Sequence, residues 1–119
     1  MKTKLYKTYA RAAKVSTAEA VFVEGTDEQV FASRSEIYDT DIDVTERAFS
    51  WSPASKRVLR VFKLRNGDYG FRWYDGSINE TVADRVFGSR EAALDFLKKS
   101  ADRYVVDGER FGWKEVTQA

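Results

Sequence analysis

Asn66-Gly67 stands between two runs rich in β-branched and aromatic residues, and no other feature limits the fold as tightly. The first run is Arg57-Val58-Leu59-Arg60-Val61-Phe62-Lys63-Leu64-Arg65 and the second is Tyr69-Gly70-Phe71-Arg72-Trp73-Tyr74. Asn and Gly both tolerate the positive φ of a two-residue hairpin turn, so the pair predicts an antiparallel hairpin. Such a turn also sets the register, because a slip of one residue sends every side chain to the other face. In that register Leu64 faces Tyr69, Phe62 faces Phe71, Val61 faces Arg72 and Arg60 faces Trp73. One face then carries Val58, Phe62, Leu64, Tyr69, Phe71 and Trp73 and is expected to be core. The other carries Lys63, Arg65 and Arg72 beside Leu59, Val61 and Tyr74.

The elements that follow extend this unit. Thr81–Phe87 reads as a third strand. Ser89 is a good helix N-cap, with Glu91 in the first turn where the helix dipole favours a negative charge. Ala93, Leu97, Ala101 and Tyr104 recur at helical spacing, which predicts a helix over about residues 90–103. Asp107-Gly108 suggests a further turn, with Phe111, Trp113 and Val116 on a closing strand. The first half offers alternatives. Lys4–Lys14 has a helical stripe of Leu5, Tyr9 and Ala12. Thr26-Asp27-Glu28-Gln29 has the form of a capping box, but Ala20–Glu24 and Val30–Ala32 equally make a hairpin. Helix and strand both remain open between residues 17 and 32. Ser50–Ser55, around the single proline Pro53, is the one linker candidate, and each half is too short for an independent core. The expected fold is a single α+β domain over residues 1–119. It has an antiparallel sheet built on the Asn66-Gly67 hairpin, a helix packed on that sheet, and one or two N-terminal helices.

Composition removes several kinds of chemistry. The chain has no Cys, so disulfides, thiolate catalysis and zinc-thiolate sites are excluded. It has no His, which removes the commonest general base and metal ligand, and with it a Ser-His dyad. Gly67, Gly70 and Gly76 have hairpin spacing with no helix behind them, so they make no phosphate loop. Asp39-Thr40-Asp41-Ile42-Asp43 opens like a calcium-binding loop, but Val44 and Ser50 stand where Gly and Glu are needed. Alternating acid and apolar residues describe a strand equally well. The longest apolar run, Ala20–Val23, is far below the roughly 20 residues of a membrane span. Met1–Lys4 is not followed by a signal-peptide core. The acid-free start resembles a transit peptide only weakly, so a cytoplasmic protein is expected, without cofactor or membrane association.

Charge is distributed in blocks although the net charge is only +1. Residues 1–15 carry +5, residues 16–46 carry −8, residues 47–74 carry +6 and residues 75–119 carry −2. Such blocks either pair internally on folding or present separate faces to partners. Arg60, Lys63, Arg65, Arg72 and Tyr74 fall on one hairpin and are the candidate binding residues. Basic and aromatic side chains on strands suit either a protein interface or phosphates and stacked bases. A net charge near zero is low for a dedicated nucleic-acid binder, so a protein partner is favoured. The functional expectation is a small non-catalytic protein acting by stoichiometric binding, as an inhibitor or adaptor of a larger complex. A phage or mobile-element accessory protein is one such type. The alternative is nucleic-acid binding by the same basic and aromatic face, extended by Lys4, Lys7, Arg11 and Lys14.

Overall fold

In a computed structural model, described for residues 1–39, 45–50, 57–75, 81–103, 105–106, 109–110 and 114–115, the two runs around Asn66-Gly67 pair as an antiparallel hairpin. Side chains are described for residues 1–38, 59–73 and 82–100. Before the hairpin come a one-turn helix α1 (Tyr9–Ala12), strands β1 (Ala18–Val23) and β2 (Gln29–Ser33), a one-turn helix α2 (Arg34–Ile37), and strands β3 (Tyr38–Asp39) and β4 (Thr45–Ser50). The hairpin itself is β5 (Arg57–Lys63) and β6 (Tyr69–Asp75). After it come β7 (Thr81–Val82), β8 (Arg85–Phe87), the long helix α3 (Arg90–Arg103), β9 (Val105–Val106), β10 (Glu109–Arg110) and β11 (Lys114–Glu115). The α+β class is therefore as expected.

Five strands, in the order β5-β6-β8-β1-β2, make the body of a mixed sheet, and β4 and β11 continue it beyond β5. All its pairs are antiparallel except β1 with β8. That parallel pair is held by Phe22 N–H to the Asp84 carbonyl (2.9 Å) and Glu24 N–H to the Val86 carbonyl (3.0 Å). The expectation of a wholly antiparallel sheet is corrected at this seam. The third strand expected over Thr81–Phe87 is two short ones. They are interrupted where Ala83 N–H bonds to the Ile37 carbonyl and Asp84 N–H to the Phe71 carbonyl, both at 2.9 Å.

The hairpin register also differs from the expected one, by one residue. Lys63 faces Tyr69, Phe62 faces Gly70, Val61 faces Phe71, Arg60 faces Arg72 and Leu59 faces Trp73. The cause lies in the turn. Gly67 N–H bonds to the Leu64 carbonyl (3.0 Å) and Leu64 N–H to the Asp68 carbonyl (2.8 Å), with Gly67 at φ +96°. Arg65 and Asn66 are therefore the central turn residues, and Gly67 takes the left-handed place after them. This is the three-residue hairpin loop, not the two-residue one. The added residue rotates β6 relative to the expected pairing, so the expected core face divides. Phe62 and Leu64 lie on one side of the sheet, and Tyr69, Phe71 and Trp73 on the other.

Both sides are covered, which is why the strands read as nearly continuous apolar runs instead of alternating ones. On one side α3 buries Ala93 and Leu97 against Leu59, Val61, Phe71 and Phe87. Ser89 caps this helix as expected, its Oγ accepting from Ala92 N–H at 3.2 Å. On the other side Val21, Ala32, Ile37, Phe62, Leu64, Ala83 and Val86 form a second cluster, with Leu5 and Val30 at its border. Gly70 permits this packing. A Cβ there would stand 2.8 Å from Phe62 Cζ and 2.9 Å from Ala83 Cβ.

The strand alternative holds for residues 17–32, where β1 and β2 make a hairpin. Thr26 Oγ1 accepts from Glu28 N–H (2.9 Å), so the expected capping box is a turn. The expected helix over Lys4–Lys14 is reduced to α1, one turn capped by Thr8. Tyr6 instead pairs with Phe31, each N–H donating to the other's carbonyl at 2.8 Å. Edge pairing with β2 satisfies the backbone of Tyr6 and sends Leu5 into the core, which a continuous helix would forgo. The Ser50–Ser55 linker, the Asp39–Asp43 run, the Asp107-Gly108 turn and Phe111, Trp113 and Val116 lie wholly or in part outside the residues, or the side chains, that are described.

Candidate binding surface

The candidate surface starts at the hairpin turn, because the turn residues there hold the N-terminal segment in place. Asn66 Oδ1 accepts from Asp68 N–H (2.9 Å), the usual way an Asn side chain stabilises a tight turn. This directs the Asp68 side chain toward residues 2 and 3. Lys2 N–H donates to Asp68 Oδ1 (3.1 Å) and Oδ2 (2.9 Å), while Thr3 N–H and Thr3 Oγ1 each donate to Oδ2 at 2.6 Å. Asn66 Nδ2 donates to Thr3 Oγ1 (2.9 Å) and to Glu36 Oε2 (3.2 Å), and Lys4 N–H also reaches that Glu36 oxygen at 3.2 Å. Asp68 is only 2% exposed. Burial pushes its carboxyl up, but the Thr3 hydroxyl and the Lys2 and Thr3 N–H groups together hold it below the usual carboxylate range. It is an ionised, saturated anchor.

Two basic stretches about sixty residues apart in the chain are thereby linked through the hairpin turn. Lys2 Nζ lies 3.1 Å from the point that a Cβ on Gly67 would occupy, so its ammonium rests on the turn. Lys2, Lys4, Lys63 and Arg65 are all exposed at this end of the hairpin. Lys4 Nζ sits 5.6 Å from the Tyr6 ring centre, a loose cation–π contact. Of the acids described at this end, Asp68 is engaged by the anchor and Glu36 by Lys4 and Asn66.

The sequence-derived candidates do not share this surface. Lys63 and Arg65 belong to it. Arg60 is only 3% exposed, with its guanidinium 5.0 Å from the Phe62 ring centre, so it contributes to packing and not to an exposed face. Arg72, its cross-strand neighbour, is half-buried. Its Nη1 donates to the Val82 carbonyl (2.8 Å) and lies 3.7 Å from Asp84 Oδ1. Partial desolvation raises the Asp84 carboxyl above its ordinary range despite the pull of Arg72 and the Trp73 N–H. Arg60 and Arg72 thus lie on the Phe62 side of the sheet, and Lys63 on the α3 side. The Tyr74 side chain is outside the described ones. Sequence reasoning missed Lys2 and Asp68. One signal was present: Asp68 is the lone acid in the basic block 47–74.

Of the two aromatic residues in the expected constellation, Trp73 is partly buried against the core and the Tyr74 side chain lies outside the described ones. Phe62 is fully buried and Phe71 nearly so, and Trp73 packs against the α3 cluster. Among the described residues no three His, Cys, Asp or Glu side chains come together as a metal site would require. No helix among them is long and apolar enough to cross a membrane. Comparison with known proteins gives no relative: no family model, characterised protein or solved structure matches this chain.

Proposed function

We propose that this protein acts by stoichiometric binding, not catalysis, and that it docks an acidic surface of a protein partner with Lys2, Lys4, Lys63 and Arg65. One observation carries the reading. The Asp68 anchor brings an N-terminal basic stretch onto the basic hairpin turn, with Lys2, Lys4, Lys63 and Arg65 exposed while Asp68 and Glu36 accept backbone and side-chain donors. A concentrated positive end attracts and orients an acidic partner during encounter and rejects basic surfaces. An inhibitor or adaptor that must engage one complex quickly is a role of this type.

Nucleic-acid binding by the hairpin face is the competing reading, and the packing weighs against it. Strand-borne sites for single strands need exposed rings on which bases stack. Among the described hairpin rings, Phe62, Phe71 and Trp73 pack into the two cores. The same cations remain able to contact phosphates, so the test includes both ligands. Wild type and a Lys2→Glu, Lys4→Glu, Lys63→Glu, Arg65→Glu variant are titrated with a poly-glutamate peptide and with a single-stranded oligonucleotide. The reading predicts that the wild type prefers the acidic peptide and that the variant binds it at least about tenfold more weakly. Unchanged affinity in the variant overturns the assignment. Preference for the oligonucleotide, with log affinity falling about 0.7 per contacted phosphate against log salt, transfers the surface to nucleic acid.

A further inference from the structure

We propose that residues 1–6 are a closing strap fastened by the single carboxylate of Asp68, and that closure of this strap completes the basic surface; the binding arm rests on the reading above. The strap has two main pins. At one end Asp68 accepts from Lys2 N–H, Thr3 N–H and Thr3 Oγ1. At the other, Tyr6 exchanges both backbone hydrogen bonds with Phe31 on the outer side of β2. Between them, Thr3 is buried and Leu5 borders the cluster of Val21, Ala32 and Ile37, while Met1, Lys2 and Lys4 are exposed.

The arrangement puts three of the strap's donors, Lys2 N–H, Thr3 N–H and Thr3 Oγ1, on one group. An ionised carboxylate accepts all these bonds at charge-assisted strength, and a neutral amide in its place has a single acceptor oxygen. Segments fastened by so few bonds open at a lower free energy than the body of a sheet. Opening would free the Phe31 N–H and carbonyl on the β2 edge and withdraw Lys2 from the hairpin turn and Lys4 from Glu36. The strap therefore governs two properties together: protection of a sheet edge and integrity of the charged end.

The test is amide hydrogen exchange on the full chain at neutral pH, comparing wild type with Asp68→Asn and Thr3→Val. Both variants should lose about tenfold or more in protection at Tyr6 and Phe31, with Leu59 and Phe71 in the hairpin nearly unchanged. Wild-type protection at Tyr6 and Phe31 in both variants overturns the strap, and so does an equal loss at Leu59 and Phe71, which reports global destabilisation. In the second arm, poly-glutamate binding should weaken several-fold in the variants whose strap is open. Undiminished affinity there overturns the coupling to the charged end. Should the wild type fail to bind the peptide, the binding reading falls, while the exchange measurement still decides the strap.

Discussion

Among the described glycines, an added methyl group meets its closest neighbours at Gly70. The ring of Phe62 and the Cβ of Ala83 already fill the space a side chain would need, at 2.8–2.9 Å. Both neighbours are buried, so neither can turn away into water. Gly70→Ala should cost about 1–3 kcal/mol, read from urea unfolding, as overpacked cores do. Asp68 gives a prediction with a sign. Its folded carboxyl lies below the ordinary range because the Thr3 and Lys2 donors outweigh desolvation. A depressed folded value stabilises the protein at pH values above the unfolded value of about 3.9. That stability drains away as pH falls through the lower folded value. Melting temperature should therefore fall more steeply below about pH 4 in wild type than in Asp68→Asn, since only wild type has this group to lose. Parallel curves would contradict the anchor. Asp84 works in the opposite sense: its carboxyl is raised, so its ionisation costs the fold stability as pH rises.

Among the elements, the hairpin and α3 were legible in the sequence because their signals are local. Asn66-Gly67 marked the turn and Ser89 the start of the helix. The register was not legible, since Asn-Gly serves both a two-residue turn and the second half of a three-residue one. The choice between them is made by where both faces find cover, and that depends on residues far away. The same applies at the N-terminus. Leu5, Tyr9 and Ala12 have helical spacing, but a partner strand for Tyr6 outweighs one extra turn of isolated helix. The loops follow local rules once the strands are placed. Gly67 at φ +96° is required by its turn, and Gly67→Ala should cost about 1–3 kcal/mol in denaturant unfolding, of which the Lys2 contact adds little because that side chain can move. Arg85 is the hidden fastening of the parallel seam. Its Nη1 donates to the Val23 (3.1 Å) and Thr26 (2.7 Å) carbonyls, and its guanidinium lies near the Phe22 and Phe96 rings. Arg85→Ala should destabilise by about 1–3 kcal/mol, more than an exposed arginine would, through stranded carbonyls and lost ring contacts. A change within ±0.5 kcal/mol would show that the turn holds without it.

At the scale of the molecule, the charge blocks of the sequence have two fates. Some charges are used inside the chain: Arg85 lies 3.4 Å from Asp27, and Arg72 lies 3.7 Å from Asp84. Others lie outside: Lys2 from the first block rests on the hairpin turn, and Lys2, Lys4, Lys63 and Arg65 are all exposed. The sequence showed that both stretches were basic but not that one buried aspartate would bring them together. Two of the five sequence-derived binding residues turned inward: Arg60 shares the covered Phe62 side by strand alternation, and the one-residue register change brought Arg72 to that side with it. Reversing Arg72 would consequently damage the fold and is a poor probe of binding. Reversing Lys2, Lys4, Lys63 and Arg65 should move the unfolding free energy by less than about 1 kcal/mol, because these side chains are exposed. The most direct measurement is capture from a lysate of the cells that make this protein, using wild type and that four-site variant as baits, each with and without nuclease. The prediction is a stoichiometric protein retained by wild type, resistant to nuclease, and lost with the variant. Equal retention by both baits, or material that disappears with nuclease, would contradict a protein-docking role for the basic end.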